Sequence, residues 1–259
     1  RYLLFASDML IEHVHFQRAT LPAPWIGWKA LARNVSDVAA MGGVPRYGVV
    51  SLGLPRHTPV RFVDGLYQGL ARCATHHHME IVGGDTVRAP CVVIDVAILG
   101  TVEKRRLVLR SGARVGDRVF VTGRLGAAEA TTHHATFRPR LAEAQWLVRR
   151  WPIHAMMDLS DGLASDLWQL ARASGVTMQI RERTIPTAKV TTVWHALMDG
   201  EDFELLFTVA ASTARRLPPS IGPVPLTDIG TVTKRGVGVE LVHANGRITR
   251  LIPKGFRHF

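Results

Sequence analysis

The 259-residue chain is 47% hydrophobic with a formal net charge of +11 and a sequence pI near 10.7, enough apolar residue for two medium domains, the organisation expected here. No run of about 18 uncharged apolar residues and no charged-then-apolar leader occurs, which argues against membrane insertion and secretion and leaves a cytoplasmic enzyme as the default. Cys73 and Cys91, the two cysteines, are too few for a disulfide framework and lack metal-site spacing, so both read as small buried thiols.

Tyr2 to Phe5 reads as a strand ending at Ala6-Ser7-Asp8, and Val14 to Phe16 as a second extended piece before the loop Leu21-Pro22-Ala23-Pro24. From Trp28 to Met41, Leu31, Val35 and Val38 recur at helical spacing, and Gly42-Gly43 with Pro45 supplies a stop. A strand is expected at Val49 to Leu54, a helix at Val60 to Ala74, and strands at Glu80 to Val82 and Val92 to Leu99. After Gly100 the basic connector Lys104-Arg105-Arg106 marks a boundary, giving expected domains of residues 1–103 and 104–259. Beyond it the pattern predicts a strand at Arg118 to Thr122, helices at Pro139 to Arg150 and Leu163 to Ser174, and strands at His154 to Asp158, Glu204 to Val209 and Val237 to Val242. The histidine runs His76-His77-His78 and His133-His134 fall in polar loops without a spaced partner, so metal binding there is not expected.

The basic residues come in short clusters such as Arg149-Arg150, Arg215-Arg216 and Lys234-Arg235, without the interleaved aromatics of a single-strand platform. Phosphate-bearing small molecules suit this charge, and specific nucleic-acid binding is not expected.

Chemistry concentrates in a set of aspartates placed where apolar elements end. Asp8 follows a strand; Asp37 lies three residues after Asn34 and so on the same helix face; Asp85 follows Val82-Gly83-Gly84; Asp158 and Asp161 flank Ser160 between a strand and a helix. Oxygen donors of this kind suit a hard cation, and magnesium in particular is held by a few carboxylates while phosphates and water complete the octahedron. Bland readings stand beside these: Asp161 as a helix cap, Asp37 as an exposed helix residue, Gly83 to Thr86 as an ordinary turn. Neither a Gly-x-x-x-x-Gly-Lys loop nor a protein-kinase catalytic loop is present.

In order, these pieces resemble the thiamine-monophosphate kinases, a family in the aminoimidazole ribonucleotide synthetase superfamily. The resembling segments are Ser7-Asp8-Met9-Leu10-Ile11-Glu12-His13-Val14-His15-Phe16, Asn34-Val35-Ser36-Asp37-Val38-Ala39-Ala40-Met41-Gly42, Gly83-Gly84-Asp85-Thr86, Arg110-Ser111-Gly112-Ala113, Asp158-Leu159-Ser160-Asp161-Gly162, Gly200-Glu201-Asp202-Phe203-Glu204-Leu205 and the terminal Gly255-Phe256-Arg257-His258-Phe259. The resemblance implies a two-domain α+β / α/β fold, an N-terminal synthetase-like domain that pairs into a homodimer and a C-terminal α/β domain of the same superfamily. It implies Mg2+ ligation by Ser7, Asp8, Asp37, Asp85, Asp158 and Asp161, and ATP contacts from Gly84, Asp85, Arg110 and Ser160. His15, Glu201 and Phe256 would contact thiamine monophosphate, with Asp161 and Arg110 as the catalytic pair. His13 and Asp199 stand where the family carries glycine. The family's leading Gly-Asp-Asp segment is not in this sequence, so a stretch ahead of Arg1 is expected. The alternatives are a catalytically incomplete homologue that binds nucleotide and a sibling ATP-dependent synthetase.

Overall fold

The structure, a computed structural model, describes residues 1–128 and 130–252, which divide into two compact units. The N-terminal unit comprises residues 1–39, 43–105 and 135–141; the C-terminal unit comprises 40–42, 106–134 and the chain from 142 onward.

Four strands build the N-terminal unit's sheet: β1 (Tyr2–Ile11), β2 (Val44–Leu54), β3 (Glu80–Arg88) and β4 (Val93–Val102), in the order β1-β4-β2-β3. β4 is antiparallel to both β1 and β2, whereas β2 and β3 run parallel and are joined by a helix crossover. Strand alternation sorts the side chains. Leu4 and Leu10 pack inward with Val50, Leu52, Ile94, Val96 and Ile98, while Leu3, Phe5 and Met9 point outward and are exposed. The inner face is covered by α1 (Ala23–Ala40), whose Ile26, Leu31, Val35 and Val38 are buried at helical spacing.

α1 meets α2 (Val60–His76) with almost no side-chain spacer. A Cβ at Gly27 would strike the Leu66 carbonyl, and one at Gly69 would strike the Pro24 carbonyl and come within 2.8 Å of the Trp28 nitrogen. Trp28 anchors this crossing by donating its indole N–H to the Phe137 carbonyl, at 2.7 Å.

In the C-terminal unit, β5 (Arg118–Thr122), β6 (Ala155–Asp158), β7 (Val176–Arg181), β8 (Leu205–Val209), β9 (Ser220–Ile221), β10 (Val224–Arg235), β11 (Gly238–Val242) and β12 (Ile248–Arg250) form one sheet. Its order is β12-β11-β7-β10-β5-β8-β6, with β9 paired to β10. Around it lie α3 (His133–Thr136), α4 (Leu141–Arg150), α5 (Leu163–Ser174), α6 (Val193–Met198) and α7 (Ala211–Ala214). α5 drives Leu163, Leu167, Leu170 and Ala171 into a core shared with Val119, Val121, Met157, Met178, Ile180 and Leu206. It stops at Gly175, whose left-handed φ of 66° lets its N–H reach back to the carbonyls of Ala171 and Arg172.

α5 has the predicted limits and α2 and α4 lie within two residues of theirs, but α1 begins at Ala23, inside the expected loop. Four strand expectations need correction, the first being that β2 begins at Val44 rather than Val49. β1 does not end at Asp8 but runs on to Ile11, because its pairing with β4 continues through Ile11↔Val93. Gly83 to Asp85 is not a turn after a strand; it lies within β3, where a Cβ at Gly84 would collide with the Val50 carbonyl of β2. Val14 to Phe16 is no strand but part of a turn closed by the His13 and His15 N–H groups on the carbonyls of Phe16 and Ile11, 2.8 and 2.9 Å. The expected buried thiols are one buried cysteine, Cys73, and one half-buried, Cys91.

Because the α1–α2 crossing brings backbone against backbone, Gly69→Ala is expected to destabilise by about 2–3 kcal/mol through overpacking, lowering the thermal midpoint by roughly 5–10 °C. An unchanged melting curve would mean the helices are not held this close.

Candidate active site

The site residues of the C-terminal unit are organised by one helix. Asp166, in the first turn of α5 and fully buried, accepts hydrogen bonds from the backbone N–H groups of Ser160 and Asp161 (3.0 and 3.1 Å). A single carboxylate thus satisfies two donors of the loop joining β6 to α5 and shapes it. Gly162 makes the bend, with a φ of 97° and no room for a Cβ beside the Met198 and Asp199 carbonyls. Asp161 is not the helix cap: Gly162 holds that position, and Asp161 instead accepts a bond from the Gln169 amide at 3.1 Å. The Gln169 oxygen in turn takes an Arg110 N–H at 3.4 Å, so the two residues expected to be catalytic are linked through one α5 side chain. Ser174, the last residue of α5, fixes the Arg110 loop: its hydroxyl accepts from Gly112 and Ala113 N–H, both at 3.2 Å, and donates to the Arg110 carbonyl at 3.1 Å.

Charge accumulates here. Burial pushes the Asp166 carboxyl well above its ordinary range, and the neighbouring Asp161 and Asp158 push it further in the same direction. Asp158, the last residue of β6, is itself buried.

Glu201 lies on a turn laced to the same loop. The Glu201 N–H donates to the Ser160 carbonyl (2.9 Å), that of Phe203 to Leu159 (2.8 Å), and that of Leu159 to Glu204 (2.8 Å). Glu201 and Phe203 both adopt left-handed backbone, φ 65° and 50°, a strain on the order of 1 kcal/mol each for a side-chain-bearing residue. Between them, buried Asp202 accepts the Gly126 N–H on both carboxylate oxygens, 3.0 Å each. Its pKa is raised to about 7, chiefly by burial, with the charges of Glu204 and Asp199 adding to the effect. Glu204 is buried and accepts the Thr122 hydroxyl at 2.6 Å.

In the N-terminal unit, strand alternation splits Ser7 from Asp8. Ser7 faces outward and donates to Asp95 at 3.1 Å; Asp8 faces α1, with an oxygen 3.6 Å from the Arg33 guanidinium. Arg33 is mostly covered, and its Nε and Nη1 have no hydrogen-bond partner. Asp37 lies one turn further along α1 from Arg33, on the same side of the helix. Asp85 is exposed within β3, opposite Ser51, and accepts the Thr86 N–H at 2.8 Å. His15 sits in the turn after β1, accepting the Ile11 N–H on Nδ1 at 3.0 Å, while buried Lys29 donates to its carbonyl at 2.9 Å. His13 holds a left-handed φ of 72°, the geometry for which the glycine of the resembling family is suited; Asp199, the other departure, has an unstrained φ of −75°. Phe256 lies outside the described residues. Among the described residues no three His, Cys, Asp or Glu side chains converge so as to hold a metal by themselves.

Sequence reasoning missed Arg33, Asp166, Gln169 and Ser174, and met Asp202 as part of the Gly200–Leu205 motif without giving it a role. Only Asp166 left a signal, as an acid in the first turn of a predicted helix. The histidine runs do not lie wholly in polar loops as expected: His76 ends α2, and His133 and His134 open α3. His77 is buried and neutral, its pKa lowered to about 4 mainly by burial and also by His76 and His78, with its ring 6.3 Å from that of Trp28.

Two domain models match in the order of the units: AIR synthase related protein, N-terminal domain, over residues 1–102, and AIR synthase related protein, C-terminal domain, over residues 114–242. The fold and its acidic loop are therefore those of an AIR synthase related protein, and HypE, a hydrogenase maturation protein 18% identical with a TM-score of 0.84, shares the fold. Within that class the thiamine-monophosphate kinases of Synechococcus elongatus and Aquifex aeolicus are 34% and 35% identical, each over 99% of this chain and 86% and 88% of their own lengths. A structure of AaThiL complexed with AMPPCP and TMP superposes with a TM-score of 0.87 at 33% identity, covering 99% of this chain and 87% of that one. This chain belongs to the thiamine-monophosphate kinase family, a family of phosphotransferases.

Repulsion within the acidic loop makes a specific prediction. Asp161→Asn removes one of the charges acting on Asp166, so in metal-free buffer containing EDTA it should raise the thermal midpoint by about 2–4 °C, the shift for roughly 1 kcal/mol. A lowered midpoint would show that Asp161 supports the loop more than it strains it.

Proposed function

We propose that the chain transfers the γ-phosphoryl group of ATP to thiamine monophosphate, forming thiamine diphosphate and ADP by direct in-line displacement. The observation that carries this reading is the Asp158–Gly162 loop, held by α5 and tied through Gln169 to Arg110, in a chain so similar to a protein complexed with AMPPCP and TMP.

The acceptor is itself a phosphate, largely dianionic at neutral pH, so an oxygen of the acceptor attacks phosphorus without a general base. As the new P–O bond forms, the bond to the β–γ bridging oxygen breaks and ADP leaves. Repulsion between the two anions is the main barrier, since unit charges 4 Å apart repel by about 4 kcal/mol at an effective dielectric of 20. Arg110 supplies fixed positive charge beside Asp161, and Ser174 keeps its loop from moving. Gly84 brings backbone close to β2 where a side chain would not fit, leaving Gly84 and Asp85, with Ser160, as the proposed nucleotide contacts. His15, Glu201 and Phe256 are the proposed contacts to thiamine monophosphate.

Magnesium fits the donor set. Asp158 and Asp161 raise the proton affinity of the buried Asp166 carboxyl, which marks the loop between β6 and α5 as a negative place suited to a cation. The proposed ligands are Asp158 and Asp161, with Ser7, Asp8, Asp37 and Asp85 from the N-terminal unit; because Ser7 and Asp8 face opposite sides of β1, these two would serve different ions. When bound, the ion would neutralise and align the phosphate oxygens.

The N-terminal sheet also supports a homodimer. On its outer face Phe5, Leu99 and Tyr47 align across β1, β4 and β2, and with Leu3, Met9 and Val49 they leave an exposed apolar surface of the kind that marks association.

A coupled assay should show ADP and thiamine diphosphate formed one for one from ATP and thiamine monophosphate, and Asp161→Asn should reduce kcat roughly 100-fold. ATP hydrolysis without diphosphate formation would reject the assignment. Phe5→Glu is expected to shift the protein from dimer to monomer by light scattering after gel filtration; an unaltered mass would remove this face from the interface.

A further inference from the structure

The turn that carries Glu201 is held by the Ser160 carbonyl on one side and, on the others, by residues with no part in the proposed phosphoryl transfer. His134, at the start of α3, places Nδ1 3.7 Å from a Glu201 carboxylate oxygen. Its neighbour His133 reaches the Asp202 carbonyl through Nε2 at 3.1 Å; a carbonyl only accepts, so this nitrogen carries the proton. Asp202 closes the third side, gripping the Gly126 N–H with both oxygens. Gly126 could not be replaced to loosen this grip, since a Cβ there would meet the Ala196 nitrogen at 2.5 Å. The two left-handed residues Glu201 and Phe203 therefore sit on either side of an anchored one. Without that anchor such a turn would relax to ordinary backbone and rotate the Glu201 side chain away.

We infer that His134 and Asp202 are positioning residues that fix the direction of the Glu201 carboxylate, and that through it they set the affinity for the phosphate acceptor. The inference rests on the reading of Glu201 as a contact to thiamine monophosphate. Asp202 acts by holding the backbone, and His134 by standing 3.7 Å from the carboxylate, too far for a hydrogen bond but an ion pair when the ring is protonated. A carboxylate fixed in this way selects an acceptor that presents a cationic or N–H-bearing heterocycle beside its phosphate, and discriminates against a simple alkyl phosphate of equal charge.

The test compares steady-state kinetics of the wild type, His134→Ala, His134→Asn, Asp202→Asn, Glu201→Ala and the His134→Ala/Glu201→Ala double variant, with thiamine monophosphate and ATP varied in turn. His134→Ala should raise KM for thiamine monophosphate about 10-fold, leaving kcat and the KM for ATP within about twofold. His134→Asn, which carries no charge, should raise the same KM about as far, because the contact is an ion pair rather than a hydrogen bond. Glu201→Ala should raise the same KM, and the double variant should be no worse than Glu201→Ala alone, because one residue acts through the other. Asp202→Asn keeps one acceptor oxygen and should fall between. Additive effects in the double variant, or an unchanged KM in His134→Ala, would overturn the inference. His134 is partly exposed, so its variants keep the test valid if Asp202→Asn fails to fold. A wild-type protein inert towards thiamine monophosphate would reject the kinase reading itself and the inference with it; an active wild type with unaffected variants would reject the inference alone.

Discussion

The buried carboxylate of Asp166 is the interaction on which the C-terminal unit's site depends. Two backbone N–H groups of the β6–α5 loop would be without partners if it were absent, and an unsatisfied buried donor costs about 1–3 kcal/mol. By accepting both, Asp166 orients Ser160 and Asp161. α5 then carries the dependency along its length, through Gln169 to Asp161 and Arg110 and through Ser174 to the Arg110 loop. The helix is rigid because its apolar face is sunk in the core, so side chains up to about two turns apart are delivered as one unit. Precision of this kind is what positioning catalysis requires.

The arrangement is held against its own electrostatics. Asp158, Asp161 and Asp166 crowd negative charge into a largely buried place, in a chain whose net charge is +11. Among the described contacts, Arg110 meets Asp161 through Gln169 rather than by a direct ion pair. In the N-terminal unit the balance differs, because Asp8 has Arg33 beside it. That guanidinium, with two nitrogens unpartnered, places fixed positive charge beside a residue expected to bind metal.

Strand alternation had consequences that motif reading could not supply. Ser7 and Asp8 are adjacent in sequence and were grouped as ligands, yet a strand sends successive side chains to opposite faces. Had β1 ended at Asp8, as the polar residues suggested, both could have reached one side. The strand persists because β4 continues to pair with it, and the partner's register is a property of neither strand alone. Gly84 is a similar case: its small size serves the close approach of β3 to β2 whether or not a phosphate also benefits.

Helix positions, the limits of α5, the strand leading to Asp158 and the ordered acidic motifs were legible because they rest on local rules: hydrophobic spacing, helix stop signals and residues one or two places apart in the chain. What only tertiary structure decided were the partners. Gln169 to Arg110, Asp202 to Gly126 and Arg33 to Asp8 join residues separated by 59, 76 and 25 positions in the numbering, and no periodicity encodes such pairings. The sequence by itself determined which chemical groups are present and on what kind of element each sits. Their direction, burial and charge environment came from packing, because a side chain's face and its dielectric surroundings belong to the elements folded against it.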